Sequence, residues 1–316
     1  MTPVNEPIHV PEALAEAHAE YEGEAGRAWT AALPGLAASF LERWELHRDG
    51  PVSHGVAALI VPVTGADGAR AVLKLQPVTD ETGGEPDALR AWDGDGAVRL
   101  LRHDAETGTM LLERLDPRRS LAAMSDDIAA LCALSELLAR LCAHKAPPET
   151  RQLGDIAAGL LDRLPRASAA LADPAERWLL ETCGAALREV AGEPGDRLLH
   201  WDLHYDNVLA PLPASGRRES WLAIDPKPLA GDPGFELFPA LWNRWDDVTA
   251  TGDLSRAVRR RFDLMTEIVG LDRERARAWT LGRVLQNALW NTESGETVLR
   301  PVLTVIARAL LDTGKH

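Results

Sequence analysis

Two periodicities divide the chain. Over residues 11–48 apolar positions recur at helical steps through Leu14, Tyr21, Trp29, Leu33, Leu36, Phe40 and Trp44, which predicts helix. Pro34 is expected to split that stretch in two. The pattern then changes to short apolar runs near 45–52, 56–63 and 71–75. Turns at Ser53-His54-Gly55 and at Thr64-Gly65-Ala66-Asp67-Gly68 separate them, the signature of an antiparallel meander. Val98–His103 and Thr109–Leu112 add two strands around Glu106-Thr107-Gly108, and Glu113-Arg114-Leu115-Asp116-Pro117 breaks the pattern. Beyond it helical spacing returns over 120–144, 154–168 and 174–190, and again over 235–245, 254–269, 273–290 and 298–311. No internal repeat or low-complexity stretch interrupts this order. Residues 1–115 therefore read as a sheet-based unit and 116–316 as a larger, mainly helical one, joined near 111–115.

Polar residues set into apolar runs mark the candidate chemistry. Lys74 lies inside Ala71-Val72-Leu73-Lys74-Leu75, where an unpaired ammonium is costly to bury. The helix opening at Gly83-Gly84 carries Glu85 in its first turn, as a partner for Lys74 or as an acid favoured by the helix dipole. The densest polar segment is His200-Trp201-Asp202-Leu203-His204-Tyr205-Asp206-Asn207, with apolar residues on both sides, followed by Ile224-Asp225-Pro226-Lys227. Phosphoryl transfer calls for this set: a carboxylate to accept the attacking hydroxyl's proton, an amide five residues later, and a second carboxylate on a later strand to hold metal against phosphate. Asp202, Asn207 and Asp225 follow that order and spacing. Lys74, oriented by Glu85, would hold the α- and β-phosphates. Ser53-His54-Gly55 is the candidate phosphate-covering turn, and backbone from Leu111 through Glu113 to Leu115 is available to an adenine edge.

Composition removes other classes. The 316 residues, 46% apolar and 26% charged, are those of an ordinary soluble globular chain of about two domains. A net charge of −14 argues against wrapping nucleic acid or an anionic membrane. No apolar run approaches the roughly 18 residues of a membrane span, and no basic-then-apolar leader opens the chain. Cys132, Cys142 and Cys183 lack metal-site spacing and read as core thiols. A cytoplasmic protein is expected, with its oligomeric state unread.

With these residues in place, the chain resembles the aminoglycoside/hydroxyurea phosphotransferase family, whose best-known activity is streptomycin 6-kinase. The likeness is strongest over 196–245, in Ile224-Asp225-Pro226-Lys227-Pro228 and Gly231-Asp232-Pro233-Gly234-Phe235-Glu236. It implies an α+β, two-lobed protein-kinase-like fold: an antiparallel five-stranded sheet lobe and a mainly helical lobe. It also implies ATP (or GTP) as donor, Asp202 as base, and Asn207 and Asp225 as magnesium ligands. Trp201 stands where small-molecule kinases of this type usually have glycine. A bulky indole there either narrows the acceptor side or turns away and packs under the loop. His204 matches the family's Asp-Leu-His and is expected to order the loop. Carboxylates beside indoles suit guanidinium or ammonium groups, and Trp242, Trp245, Asp246, Trp290 and Glu293 are the candidate contacts to an aminoglycoside acceptor. Another small hydroxylated metabolite or toxin, such as an amino sugar or hydroxyurea, is the alternative acceptor, and a non-catalytic binding protein a third possibility.

Overall fold

The computed structural model describes residues 8–213 and 215–312. By internal packing the chain forms two units. One runs through Asp116 and includes Pro211–Arg218; the other comprises Pro117–Ala210 and Glu219 onward.

In the first unit helix α1 (Glu12–Arg43) is followed by β1 (Leu46–Arg48), β2 (Ser53–His54), β3 (Leu59–Gly65), β4 (Arg70–Leu75), α2 (Glu85–Trp92), β5 (Leu100–Asp104) and β6 (Thr109–Glu113). The break in α1 falls at Gly23, whose φ of 62° and ψ of −125° are open to glycine, and not at Pro34. Leu33, Ala37 and Phe40 are buried on either side of the proline and carry the helix through its missing hydrogen bond. The antiparallel sheet has the order β1-β3-β4-β6-β5, with β2 on β3 as a sixth, two-residue strand. Ser53 and His54 therefore belong to a strand, and the turn beyond them is Gly55–Ala58, closed by the Gly55 N–H donating to Ala58 O at 2.9 Å. Alternation along β3 and β4 buries Leu59, Val61, Val63, Leu73 and Leu75 against Leu14, Leu33 and Phe40 of α1.

The segment Pro211–Arg218 joins this unit through Arg217, contrary to the expected assignment of everything beyond 116 to the helical part. Its guanidinium, 4% exposed, donates to Gly94 O (2.8 Å) and Ala97 O (3.0 Å) and pairs with Glu113.

Strand β7 (Leu115–Ser120) begins in Leu115 and Asp116 of the first unit and continues in the second, where α3 (Asp127–Leu141), α4 (Leu153–Ala170) and α5 (Pro174–Val190) follow. Strands β8 (Arg197–Leu199), β9 (Val208–Pro211), β10 (Leu222–Ala223) and β11 (Leu229–Gly231) then form a β10-β9-β7 sheet and a β8-β11 ribbon. Five helices close the chain: α6 (Leu237–Trp242), α7 (Trp245–Ala250), α8 (Leu254–Val269), α9 (Arg273–Glu293) and α10 (Pro301–Leu311). Asp126, Asp173, Asp253 and Asp272 each cap a helix by accepting a backbone N–H of its first turn. Cys142 and Cys183 are buried and unbridged, and burial pushes the Cys183 thiol up to about 12. Among the described residues no helix is long and apolar enough to cross a membrane.

Candidate active site

In the first unit the β4 lysine has the partner it requires. Lys74 Nζ lies 2.7 and 2.8 Å from the two Glu85 oxygens, and the side chains are 4% and 1% exposed. Gln76 Nε2 donates to Glu85 Oε2 at 2.6 Å, a brace that strand periodicity alone does not single out. A buried ion pair braced by a further hydrogen bond holds the ammonium in one place. The register places Ser53, Ile60, Lys74 and Met110 in one cross-strand row. Ser53 and His54 thus lie two strands from the lysine, exposed, with Gly55 opening the turn.

In the second unit the polar loop spans the gap between β8 and β9. It is tied to the segment after β10 at several points. His200 is fully buried, and burial lowers its pKa to about 4, so it is neutral. The Asp202 N–H points at its Nδ1 (3.4 Å), and its Nε2 donates to Ile224 O (2.9 Å), which fixes the tautomer. The Ile224 N–H donates to Asn207 O (2.9 Å) and the Lys227 N–H to His200 O (3.0 Å). β10 pairs with β9 as Ala223 to Val208, so Ile224 faces Asn207 and Asp225 follows one residue beyond that pair. Asn207 Nδ2 donates to Asp202 O at 3.0 Å. Its donor is thereby occupied and its carbonyl oxygen is left as an acceptor.

An amide oxygen beside a carboxylate is a donor set that fits magnesium, which takes one or two protein oxygens and completes its shell with water and substrate phosphates. Among the described residues no three His, Cys, Asp or Glu side chains gather to hold an ion alone. Asp202 carries a quarter-exposed carboxylate, with Lys227 Nζ 2.8 Å from its Oδ2. Lys227 enters the sequence reading only as part of a motif, without a role.

Beneath the loop Glu236 ends the turn Pro233–Glu236. Burial raises its pKa to about 8, against Arg283 and the backbone N–H groups of Trp201 and His200, which favour its charged form. Gly234 lets that turn approach α9: a Cβ there would meet Ala276 Cα at 2.7 Å. Arg283 Nη2 donates to Trp201 O at 3.0 Å.

Trp201 is where the sequence left two alternatives, and the indole packs under the loop. It is 4% exposed, with the guanidinium groups of Arg151 and Arg283 at 4.5 and 4.9 Å from its ring, and so is buried away from an acceptor. Its φ of 64° is left-handed, the conformation for which glycine is suited. Asp225, φ 58°, shares it. His204 points its Nδ1 to within 3.5 Å of Asp206 Oδ2.

The other expected contacts scatter. Trp242 is partly exposed and stacks on Phe238 at 6.1 Å, and Trp245 and Asp246 open α7. Trp290 is 40% exposed, with Arg283 5.8 Å from its ring. Glu293 pairs with Arg163 at 2.9 Å on the surface. The Glu113 carboxylate is taken by Arg217 and the Arg99 N–H, and its own N–H donates to Arg99 O; Leu115 is buried at the start of β7. Arg151, Arg283 and Gln76 carry no sequence signal, because the groups they hold come from other elements.

Comparison with known proteins assigns the chain to a family. The pattern described as aminoglycoside/hydroxyurea antibiotic resistance kinase covers residues 43–295. A streptomycin 6-kinase of Streptomyces glaucescens is 56% identical over 303 residues, 96% of this chain and 97% of that protein. A hydroxyurea phosphotransferase of Kitasatospora aureofaciens is 55% identical over 306 residues, 96% of this chain and 86% of that protein. The crystal structure of the aminoglycoside phosphotransferase APH(4)-Ia shares the fold, with a TM-score of 0.56 at 15% identity over 88% of this chain and 98% of that one. The chain therefore belongs to the aminoglycoside/hydroxyurea antibiotic resistance kinases, phosphotransferases of protein-kinase-like fold that act on hydroxyl groups.

Proposed function

We propose that this enzyme transfers the γ-phosphoryl group of ATP to a hydroxyl of streptomycin or a closely related aminocyclitol, in the cytoplasm and with magnesium. The observation that carries the reading is the intact set Lys74, Glu85, Asp202, Asn207 and Asp225 in a chain 56% identical to a streptomycin 6-kinase across 97% of that protein. Asp202 accepts the hydroxyl proton as the acceptor oxygen bonds to the γ-phosphorus and the bond to the β,γ-bridging oxygen breaks, releasing ADP. Lys74, held by Glu85, neutralises the α- and β-phosphates. Asn207 and Asp225 would hold magnesium, which supplies charge neutralisation at the transferring group. The transition state is loose, so positioning and charge carry most of the rate. Of the candidate acceptor contacts, Trp245, Asp246 and the partly exposed Trp242 and Trp290 retain faces that suit a guanidinium-bearing ring.

Hydroxyurea is the second acceptor reading, favoured by the 55% identical relative named for it. Donor consumption with magnesium across streptomycin, other aminoglycosides, amino sugars and hydroxyurea tests both, with Asp202→Ala as control. Turnover dependent on streptomycin and lost in the control is expected, with nucleotide binding kept. Turnover with hydroxyurea alone would select the second reading, and near-normal turnover in Asp202→Ala would remove Asp202 as base.

A further inference from the structure

We propose that Lys227 is a positioning residue for Asp202, holding the base in the one orientation in which it can take a proton. The inference rests on the kinase reading above. Its ammonium lies 2.8 Å from Asp202 Oδ2, with the two side chains 34% and 27% exposed. An ion pair that open contributes little to stability, since solvent screens it and both chains lose rotamer freedom. Its value lies in where it puts the carboxylate. With Oδ2 occupied by the lysine, the other oxygen is the one presented to an acceptor hydroxyl.

The backbone under Lys227 is more tightly fixed than a surface ion pair requires. Its N–H donates to His200 O (3.0 Å), and its carbonyl accepts from Arg151 Nη2 (3.2 Å). Pro226 and Pro228 on either side lock φ. The guanidinium of Arg151 also stacks on the Trp201 indole, next in the chain to the base. Lysine and aspartate are thus built on the same support. The charges agree: the two segments carry Asp202, Asp206 and Asp225, and the Lys227 ammonium lies 2.8 Å from the one that must act. In the transfer step the lysine keeps its proton. The acceptor's proton passes to the free Asp202 oxygen as the phosphorus–oxygen bonds exchange.

The test is steady-state kinetics of Lys227→Met and Lys227→Arg beside the wild type, with ATP, magnesium and whichever acceptor the wild type turns over. Removing the ammonium should lower kcat by roughly 10²-fold, the order of loss for a misplaced reacting group, with KM for acceptor and for ATP within about threefold. Arginine, which keeps the charge, should recover at least about tenfold of that loss. A kcat for Lys227→Met within about threefold of wild type would overturn the proposal. So would a loss confined to the KM for ATP, which would make the lysine a donor ligand, or an arginine variant no better than methionine. A thermal melt of each variant checks folding, and Lys227→Gln replaces Lys227→Met if the latter melts early. A wild type silent with every acceptor would instead overturn the functional reading, and this inference with it.

Discussion

Trp201 offers a prediction whose sign runs against the usual order of substitutions. The residue has φ 64°, is 4% exposed, and its indole ring meets the guanidinium groups of Arg151 and Arg283. Deleting a buried tryptophan costs about 3–5 kcal/mol in lost burial and cavity. Two desolvated cation–π contacts are part of that loss. Against it stands the Nε1–H, buried without a hydrogen-bond partner, whose removal returns about 1–3 kcal/mol. Both Trp201→Ala and Trp201→Gly should therefore destabilise, by about 2 kcal/mol at the middle of these ranges and about 4 kcal/mol at most. They differ in the backbone term. A side chain at left-handed φ costs about 1–2 kcal/mol, and glycine is free of it. Glycine gives back about 0.4–1 kcal/mol through the greater freedom of the unfolded chain. The difference leaves Trp201→Gly just under about 1 kcal/mol more stable than Trp201→Ala, the reverse of what holds in an ordinary helix or strand. Equilibrium urea denaturation of the two variants, with m values checked for equality, measures this directly. If alanine proved the more stable, the strain assigned to the loop backbone would not exist.

Glu236→Gln keeps the shape of the buried acid and removes its titration. The wild-type acid has a folded pKa of about 8 against an ordinary 4.5, so its contribution to stability is complete below 4.5 and is lost as pH rises to about 8. The loss is on the order of 5 kcal/mol. Unfolding free energies of wild type and variant between pH 5 and about 8 should diverge in the variant's favour as pH rises; His200 is common to both and cancels. A parallel pair of curves would mean that Glu236 is ionised throughout. Arg217→Ala strips the buried guanidinium from Glu113, Gly94 O and Ala97 O, leaving Glu113 with the Arg99 N–H and depriving the two carbonyls of this donor. It should cost about 2–4 kcal/mol and open 211–218 to limited proteolysis. Cleavage no faster than in wild type would show that the segment is held by other contacts.

What could be read from the sequence was what short spacing carries. Asp202 and Asn207 are five residues apart on one loop, Lys74 interrupts an apolar strand, and Glu85 opens the next helix. Each stands out because local order is its cause. The same residues led to the family that the comparisons bear out. What stayed hidden belongs to contacts between distant segments. Arg283 reaches Trp201 across 82 positions, Arg151 reaches Lys227 across 76, and Arg217 reaches Gly94 across 123. In a chain with 34 basic residues no period or motif tells these arginines from those on the surface. The break in α1 was misread for a related reason: Pro34 has the stronger local signal, but burial of its neighbours overrides it, and the helix yields at Gly23, where φ can turn positive. Trp201 joins the two kinds of information. Its departure from the usual glycine is visible in the sequence, yet the direction of the indole follows only from the two arginines that receive it. A bulky residue persists at a glycine's dihedral angle because the surrounding structure over-determines it. Here the two stacked guanidinium groups and the hydrogen bond to its carbonyl supply that constraint. Of the two directions open to the indole, narrowing the acceptor side or packing under the loop, the structure takes the second, and the bulky residue bears on how the 200–207 loop is held.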